Sequence, residues 1–233
     1  MARMYGGKRR YLRRMVRWYT VLILLSTAAI AVIAGLWACT VMVRALPPYL
    51  VAAPVMLAVV PVYFSWRRRG YRYGIWGEEA VSSALSALDN RHRVFNDLVL
   101  PGARGDIDHV VVGPGGVFVL ETKNYAGEIT CTGNRWARCR NGTWEVLQRS
   151  PSRQVSDNAR RLDAFLGGCA VAVKADPVVV LASRNACIRC EDPAVPVVER
   201  RTIASYLGSR HSRLSGKEIR IISEYIQNSA GLE

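Results

Sequence analysis

The sequence predicts an α/β protein, a mixed β-sheet flanked by helices and preceded by a two-helix transmembrane hairpin. Three observations carry that expectation. Two β-branched-rich runs, Ile107-Asp108-His109-Val110-Val111-Val112 and Val117-Phe118-Val119-Leu120-Glu121-Thr122-Lys123, enclose Gly113-Pro114-Gly115-Gly116 and read as an antiparallel hairpin. A helix-period segment opens at Ser150-Pro151 and is followed by an apolar run over 177–181. Ahead of all this lie two stretches without a charged residue, 20–43 (24 residues) and 45–66 (22 residues).

Residues 20–43 are long enough to cross a hydrocarbon core of about 30 Å as a helix. The second stretch carries Pro47, Pro48, Pro54 and Pro61, which spanning helices tolerate where neighbours re-satisfy the freed carbonyls. Lys8, Arg9, Arg10, Arg13, Arg14 and Arg17 precede the first span, and Arg67, Arg68, Arg69 and Arg72 follow the second, with only Arg44 between. The positive-inside bias then places both termini in the cytoplasm of a multi-pass inner (plasma) membrane protein, with the bilayer as one partner. Two other readings stand. One is a cleaved signal peptide, although the first run exceeds the usual h-region of about 7–15 residues. The other is a single span followed by a re-entrant segment, which would move the rest of the chain outside.

The net charge of +14 divides unevenly. Residues 1–73 hold 12 Lys/Arg and no acid, whereas 74–233 hold 20 Lys/Arg and all 18 Asp/Glu. The second part is nearly neutral, so overall charge is no argument there for nucleic acid. A basic linker over 67–76 leads into a helix over 78–88, whose stripe is Val81, Ala84, Leu85 and Leu88. A strand over 93–100 precedes the hairpin. A meander follows over 128–132, 135–139 and 143–147, with Asn141-Gly142 and Gly133-Asn134 as turns. Ser150 caps the next helix and Pro151 opens it; its stripe is Val155, Ala159, Leu162, Phe165 and Leu166. Strands over 177–181 and 195–198 and helices over 201–207 and 216–227 complete the domain. Six cysteines form no disulfide framework, and Cys187-Ile188-Arg189-Cys190 lacks the second ligand pair of a zinc site, so ordinary reduced thiols are the reading.

Closing the hairpin symmetrically pairs Val112 with Val117, Val110 with Val119 and Asp108 with Glu121. Directly opposed residues share a face, and Lys123 joins them by strand alternation. Two carboxylates whose Cβ atoms lie about 5 Å apart repel unless a divalent cation, a proton or a lysine intervenes. Asp106 shares that face too and could form an ordinary cross-strand ion pair with Lys123. His109 points the other way, as a structural residue or hydrogen-bond partner. Glu78 sits on the inner edge of its helix stripe, where it either needs a partner or favours the helix N-terminus. Arg135, Arg138, Arg140, Arg149, Arg153, Arg160 and Arg161, against Glu145 and Asp157, form the one locally basic region. That region either tracks a phosphate backbone or is a solvated face. No Ser-His-Asp or Cys-His set competes, the histidines being 92, 109 and 211.

Gly77-Glu78-Glu79, Gly105-Asp106-Ile107-Asp108-His109, Gly113-Pro114-x-Gly116-Val117-Phe118-Val119, Glu121-Thr122-Lys123-Asn124-Tyr125-x-Gly127 and Ser150-Pro151-x-x-Gln154-x-x-x-Asn158 occur in that order. Over roughly residues 75–185 this resembles the nuclease-related domain (NERD), which is similar to the restriction-endonuclease-like, or PD-(D/E)xK, superfamily. The resemblance implies that superfamily's fold, and Asp108, Glu121 and Glu78 as acids holding Mg²⁺ or Mn²⁺, with the Thr122 carbonyl as an extra ligand. It implies that Lys123 orients or deprotonates the attacking water, and that Gln154 and Asn158 support the site. Its activity would be hydrolysis of nucleic-acid phosphodiesters, of DNA in the first instance. The Arg135, Arg138, Arg149, Arg153, Arg160 and Arg161 side chains are the candidate nucleic-acid contacts. A non-catalytic module that keeps the fold and binds nucleic acid or a protein is the competing expectation.

Overall fold

The structure, a computed structural model, describes residues 1–6, 10–42, 49–103, 105–183 and 186–230. Lys8, Arg9, Arg44, Pro47 and Pro48 lie outside the described residues, as do the side chains of Arg10, Pro54 and Arg140. In chain order the first elements are β1 (Arg3–Gly6), α1 (Arg10–Met42), α2 (Tyr49–Leu85), β2 (Arg93–Leu98), β3 (Ile107–Gly113) and β4 (Gly116–Lys123). Then come β5 (Gly127–Gly133), β6 (Arg135–Arg140), β7 (Thr143–Val146) and α3 (Pro151–Leu166). The remainder is β8 (Ala175–Leu181), β9 (Ala186–Pro193), β10 (Val197–Glu199), α4 (Ile203–Gly208) and α5 (Gly216–Ala230).

The strands form two sheets, one ordered β1-β2-β3-β4-β8-β10 and the other β7-β6-β5-β9. In the larger sheet β2, β3 and β4 are antiparallel, while β1 on β2, β8 on β4 and β10 on β8 are parallel. This is the expected mixed sheet flanked by helices. The hairpin closes in the expected register, with Val112 opposite Val117 and Val110 opposite Val119, and the ladder runs out at His109 opposite Leu120. Strand alternation explains the two cores. Val110, Val112, Val117 and Val119 face Val155, Ala159 and Leu162 of α3 and Ile219, Ile222 and Ile226 of α5. Val111, Phe118 and Leu120 face Val81 and Leu85 of α2 and Ile203 and Leu207 of α4. Each such side chain, fully buried, contributes about 1.5–3 kcal/mol of hydrophobic stabilisation. Ser150 caps α3 as expected, its side chain accepting from the Arg153 N–H with Pro151 in the first turn.

Three expectations give way to different findings. Among the described residues, one helix is long and apolar enough to cross a membrane: the stretch Arg13–Leu36 within α1, 24 residues with a mean hydropathy of 2.2. The second span is not distinguished in this way, so a two-helix transmembrane hairpin is not established. The basic linker over 67–76 is helical instead, and it joins the 78–88 helix into the 37-residue α2, which ends at Leu85. Apart from Gly70 and Gly74 nothing in 67–76 disfavours a helix, and arginine is a good helix former, so basic composition does not mark a loop here.

Residues 3–6 also depart from the basic flank expected of them. They pair in parallel with Arg93–Asn96. Tyr5 stacks on Phe95 with ring centroids 5.0 Å apart, and the Asn96 amide donates to the Tyr5 carbonyl at 3.3 Å. A Cβ on Gly6 would sit 2.2 Å from the Asn96 carbonyl oxygen, and its φ is +75°, so glycine is required at this strand end. Residues 1–8 thus form one compact unit with 76–233, and residues 9–75 form the other. The cis-added strand covers the edge of β2, a job that a four-residue segment performs without any hydrophobic period for sequence reasoning to find. β9, with its CxxC, was missed for a related reason. Its side chains alternate between half-buried and exposed, so Cys187 and Cys190 point to opposite faces of the sheet. That separation is incompatible with joint metal binding by the two thiols.

Candidate active site

The end of the hairpin opposite its glycine turn is where charge enters an otherwise apolar sheet. Asp108 lies one residue beyond the last β3–β4 pair. Its Oδ2 accepts the Thr122 backbone N–H at 2.7 Å, so the side chain replaces a ladder bond at the point where the strands part. Glu121 lies on the same face as Val117 and Val119 and is only 2% exposed. Its Oε1 accepts from Lys123 Nζ at 2.7 Å, and its Oε2 accepts from the Asn158 amide at 3.4 Å. Lys123 also donates to Gln154 Oε1 at 3.0 Å. The capped first turns of α3 therefore deliver Gln154 and Asn158 to the site, four residues apart on one helix face.

Glu78 comes from the opposite side of the sheet, on the stretch of α2 that carries Val81 and Leu85. It is half-buried, and its charge acts on Asp108. Gly77 permits that approach, because a Cβ there would meet the Asn124 Cβ at 2.9 Å and the Ala182 Cβ at 3.4 Å. His109 is buried on the face away from Glu121 and shares a hydrogen bond with Asn96 Oδ1 at 2.7 Å, the structural role expected of it.

Electrostatics at the site are those of anions held out of water. Desolvation, then the neighbouring Glu121 and Glu78 charges, push the Asp108 carboxyl well above the usual carboxylate range, against the Thr122 N–H and Lys123, which lower it. Burial raises Glu121 as well, and Lys123 does not fully offset it. Lys123 responds in the other direction. Burial alone would lower it, yet Glu121, Tyr125 and Asp108 together hold its ammonium above the ordinary lysine value. Lys123 is therefore a cation at neutral pH, while the acids beside it have a raised affinity for a proton or another cation.

The Asp108 carboxyl lies within electrostatic range of the two other expected metal acids, Glu121 and Glu78. Among the described residues, however, no three His, Cys, Asp or Glu side chains are gathered into a complete metal-binding group. The carboxylate oxygens of Asp108 and Glu121 are hard donors of the kind that would suit Mg²⁺ or Mn²⁺. Of the expected nucleic-acid arginines, Arg135, Arg149, Arg153, Arg160 and Arg161 are exposed, and Arg160 pairs with Asp157. Arg138 alone is partly buried, and the sequence reading did not separate it from the others. Nor did it assign any role to Tyr125, since strand parity stops at Lys123 and says nothing of where the next residues turn.

Asp108, Glu121 and Lys123 thus gather where the β-hairpin parts, beside the first turns of α3. Residues 73–182 match the nuclease-related domain, NERD. An uncharacterized protein of Bacillus anthracis is 44% identical over 57 residues, which cover 23% of this chain and 27% of that protein. The chain thus spans about a quarter of the length of that curated relative. No solved structure matches the chain.

Proposed function

We propose that the nuclease-related domain hydrolyses nucleic-acid phosphodiesters with Mg²⁺ or Mn²⁺, at Asp108 and Glu121 with Lys123 and Glu78. The observation that carries this is a pair of desolvated carboxylates beside an ammonium: burial raises the proton affinity of both, the Glu121 and Glu78 charges raise Asp108 further, and Asp106 raises Glu121. A scaffold gains nothing from such an arrangement, because buried like charges oppose folding. Asp108 and Glu121 would hold the metal ion, whose chemistry there is to lower the pKa of a bound water and to draw charge from the phosphate. Lys123 Nζ would donate to the attacking water or to the phosphate oxygen on which charge grows. Gln154 fixes the lysine rotamer, and Asn158 fixes Glu121. The exposed Arg135, Arg149, Arg153 and Arg161 would follow the strand on either side.

A second reading has its own support. Lys123 closes onto Glu121, and no three-acid cluster is present among the described residues, as expected of a module that binds nucleic acid without cutting it. The decisive assay uses the full chain in detergent micelles, because removing residues 1–73 would strip β1 from the sheet. Cleavage of DNA or RNA that appears with Mg²⁺ or Mn²⁺ and vanishes with EDTA is expected. Metal-independent binding with every tested substrate left intact would establish the silent module instead.

The same proposal places the domain at the cytoplasmic face of a membrane. α1 contributes the apolar span, and two observations support a return through the 45–66 region. Arg68 donates to Thr20 at 3.2 Å and Tyr19 stacks on Tyr71 at 5.5 Å, so the start of α1 lies beside the later part of α2. More telling, β1 belongs to the same sheet as β2, so residues 3–6 and the domain occupy one side of any bilayer. On this reading the chain between them would cross an even number of times. Cytoplasm-active reporters fused at either terminus should both score positive, and opposite signs at the two ends would overturn the two-span topology.

A further inference from the structure

The edge of the larger sheet sets two arginines side by side with no acid between them. β1 pairs in parallel with β2, so that Arg3 lies directly beside Arg93, as Tyr5 lies beside Phe95 two residues on. Directly opposed residues of neighbouring strands share a face, here the one on which Tyr5 stacks on Phe95. Like charges placed in this way oppose the pairing of their strands. Arg93 Nη1 donates to the Asn90 and His92 carbonyls, at 2.6 and 3.2 Å, so it meets backbone dipoles and no anion. The Arg3 side chain makes no hydrogen bond or ion pair among the described residues.

That pair of guanidinium groups opens onto a cavity. It has a volume of about 530 Å³ and lies between the sheet edge and the first turn of α5, with Arg3, Arg91 and Arg93 in its walls. Pro114, Leu214 and Ile219 supply its apolar side. Sites for small molecules span about 300–1,000 Å³. No aspartate or glutamate is among the described residues that line it. Arg91 is already answered, its Nε and Nη2 meeting Asp89 Oδ2 at 2.8 and 2.6 Å. The start of α5 is already capped, because Glu218 accepts the Ser215 N–H and hydroxyl at 2.7 Å each. Arg3 and Arg93 thus give the cavity two positive charges that no carboxylate balances. The cavity sits at the Pro114 end of the β3–β4 hairpin, and the five strand steps from Asp108 to Gly113 span about 17 Å.

We propose that this cavity binds a nucleoside monophosphate, its phosphate held by Arg3 and Arg93. The charge count selects a phosphate monoester, which is close to a dianion at neutral pH, over the singly charged diester of a strand interior. Each guanidinium offers a planar fork of donors that matches phosphate oxygens. The apolar side accepts the flat face of a base, and the Asn90 amide and Ser212 hydroxyl, which also line the cavity, match sugar hydroxyls. Inorganic phosphate would satisfy the arginines and leave that apolar side in water. The proposal stands apart from the nuclease reading, since it needs neither a metal ion nor the acid pair.

The test is calorimetric titration of the full chain in detergent micelles with 5′-AMP, 5′-GMP, 5′-CMP and 5′-UMP in turn. EDTA is present, so that no divalent ion draws phosphate to the acid pair. At least one nucleotide should bind, more tightly than inorganic phosphate and less tightly as salt rises. Arg3→Gln should weaken binding about 10-fold or more, the loss of one charge-assisted contact. Because the Arg3 side chain holds nothing in the free protein, that variant should keep the wild-type Tm. Arg93→Gln should weaken binding as well, whereas Arg220→Gln, an exposed arginine of α5 outside the cavity, should leave it unchanged. Equal affinity for inorganic phosphate would mean a bare anion site and overturn the nucleotide assignment. A preference for a 5′-phosphorylated oligonucleotide, or for phosphatidic acid in mixed micelles, would overturn it too. Nucleotide binding that both arginine variants leave unchanged would place the ligand elsewhere and remove the cavity from the account. Wild type that binds none of the four nucleotides would refute the proposal outright and leave the nuclease reading untouched.

Discussion

Asp108→Asn should make the metal-free protein more stable while abolishing cleavage. The two outcomes share one cause. In the folded chain the Asp108 carboxylate is desolvated and faces Glu121 and Glu78, so its proton affinity lies well above that of an unfolded aspartate. A carboxyl raised on folding favours the native state while it is protonated. That contribution is complete below the unfolded value of about 3.9 and is lost as pH climbs through the raised folded value. At pH 8 the wild-type domain therefore carries a penalty that an amide does not, and the Asn oxygen can still accept the Thr122 N–H. We expect a gain of roughly 0.5–2 kcal/mol at pH 8, in the range of other functional-site substitutions that relieve strain, and little change at pH 4. Thermal melts across that pH range, with EDTA, would show it. Mg²⁺ should raise the wild-type Tm more at pH 8 than at pH 5 and leave the variant unmoved. Turnover should drop about 10³-fold, the scale seen when one preorganised charge-stabilising group is removed. A variant that melts lower than wild type at pH 8 would mean that Asp108 serves the fold and not an ion.

The hairpin and its register were legible because each is set by local chemistry. The Gly113–Gly116 turn admits few closures, and alternation in Val110, Val112, Val117 and Val119 assigns every face from that point on. The same parity put Lys123 beside Glu121, where the structure joins them at 2.7 Å. The capped start of α3 was legible through Ser150 and Pro151, and with it the delivery of Gln154 and Asn158. What stayed hidden depends on contacts distant in sequence. β1 meets β2 across some 90 residues, and only Tyr5 and Gly6 hint at it. Arg138 looked like one of a row of arginines, because its partial burial depends on the position of β6 between β5 and β7. The long α2 defeated a composition argument: arginines and prolines that mark boundaries in most chains are accommodated here inside one helix. Such places, where local signals and the fold disagree, are where function tends to concentrate.

The second large effect concerns Lys123, and its sign differs from that of Asp108. Glu121 is almost wholly enclosed, and its two oxygens are met by Lys123 and Asn158. The lysine in turn is held by Glu121 and Gln154, with its side chain 21% exposed. Removing either charge strands the other in a poorly solvated place. Lys123→Met is therefore expected to cost about 3 kcal/mol, at the lower end for a broken buried pair because the lysine keeps some contact with water. Glu121→Gln should cost a similar amount by leaving the ammonium alone. The double variant Glu121→Gln/Lys123→Met should be more stable than either single one, with a coupling of roughly 1–3 kcal/mol measured by chemical denaturation. Costs that simply add would show that the ion pair contributes nothing and that the lysine is held for another reason. All three variants lose turnover under the proposed mechanism, so activity alone cannot assign the lysine a chemical role. The distinguishing measurement is Mg²⁺ added to Lys123→Met. Here a divalent ion should take the place of the missing ammonium against Glu121 and Asp108 and recover much of the lost Tm while turnover stays absent. Recovery of stability without recovery of rate is the pattern that separates a lysine acting on the reacting phosphate from one that only neutralises its neighbours.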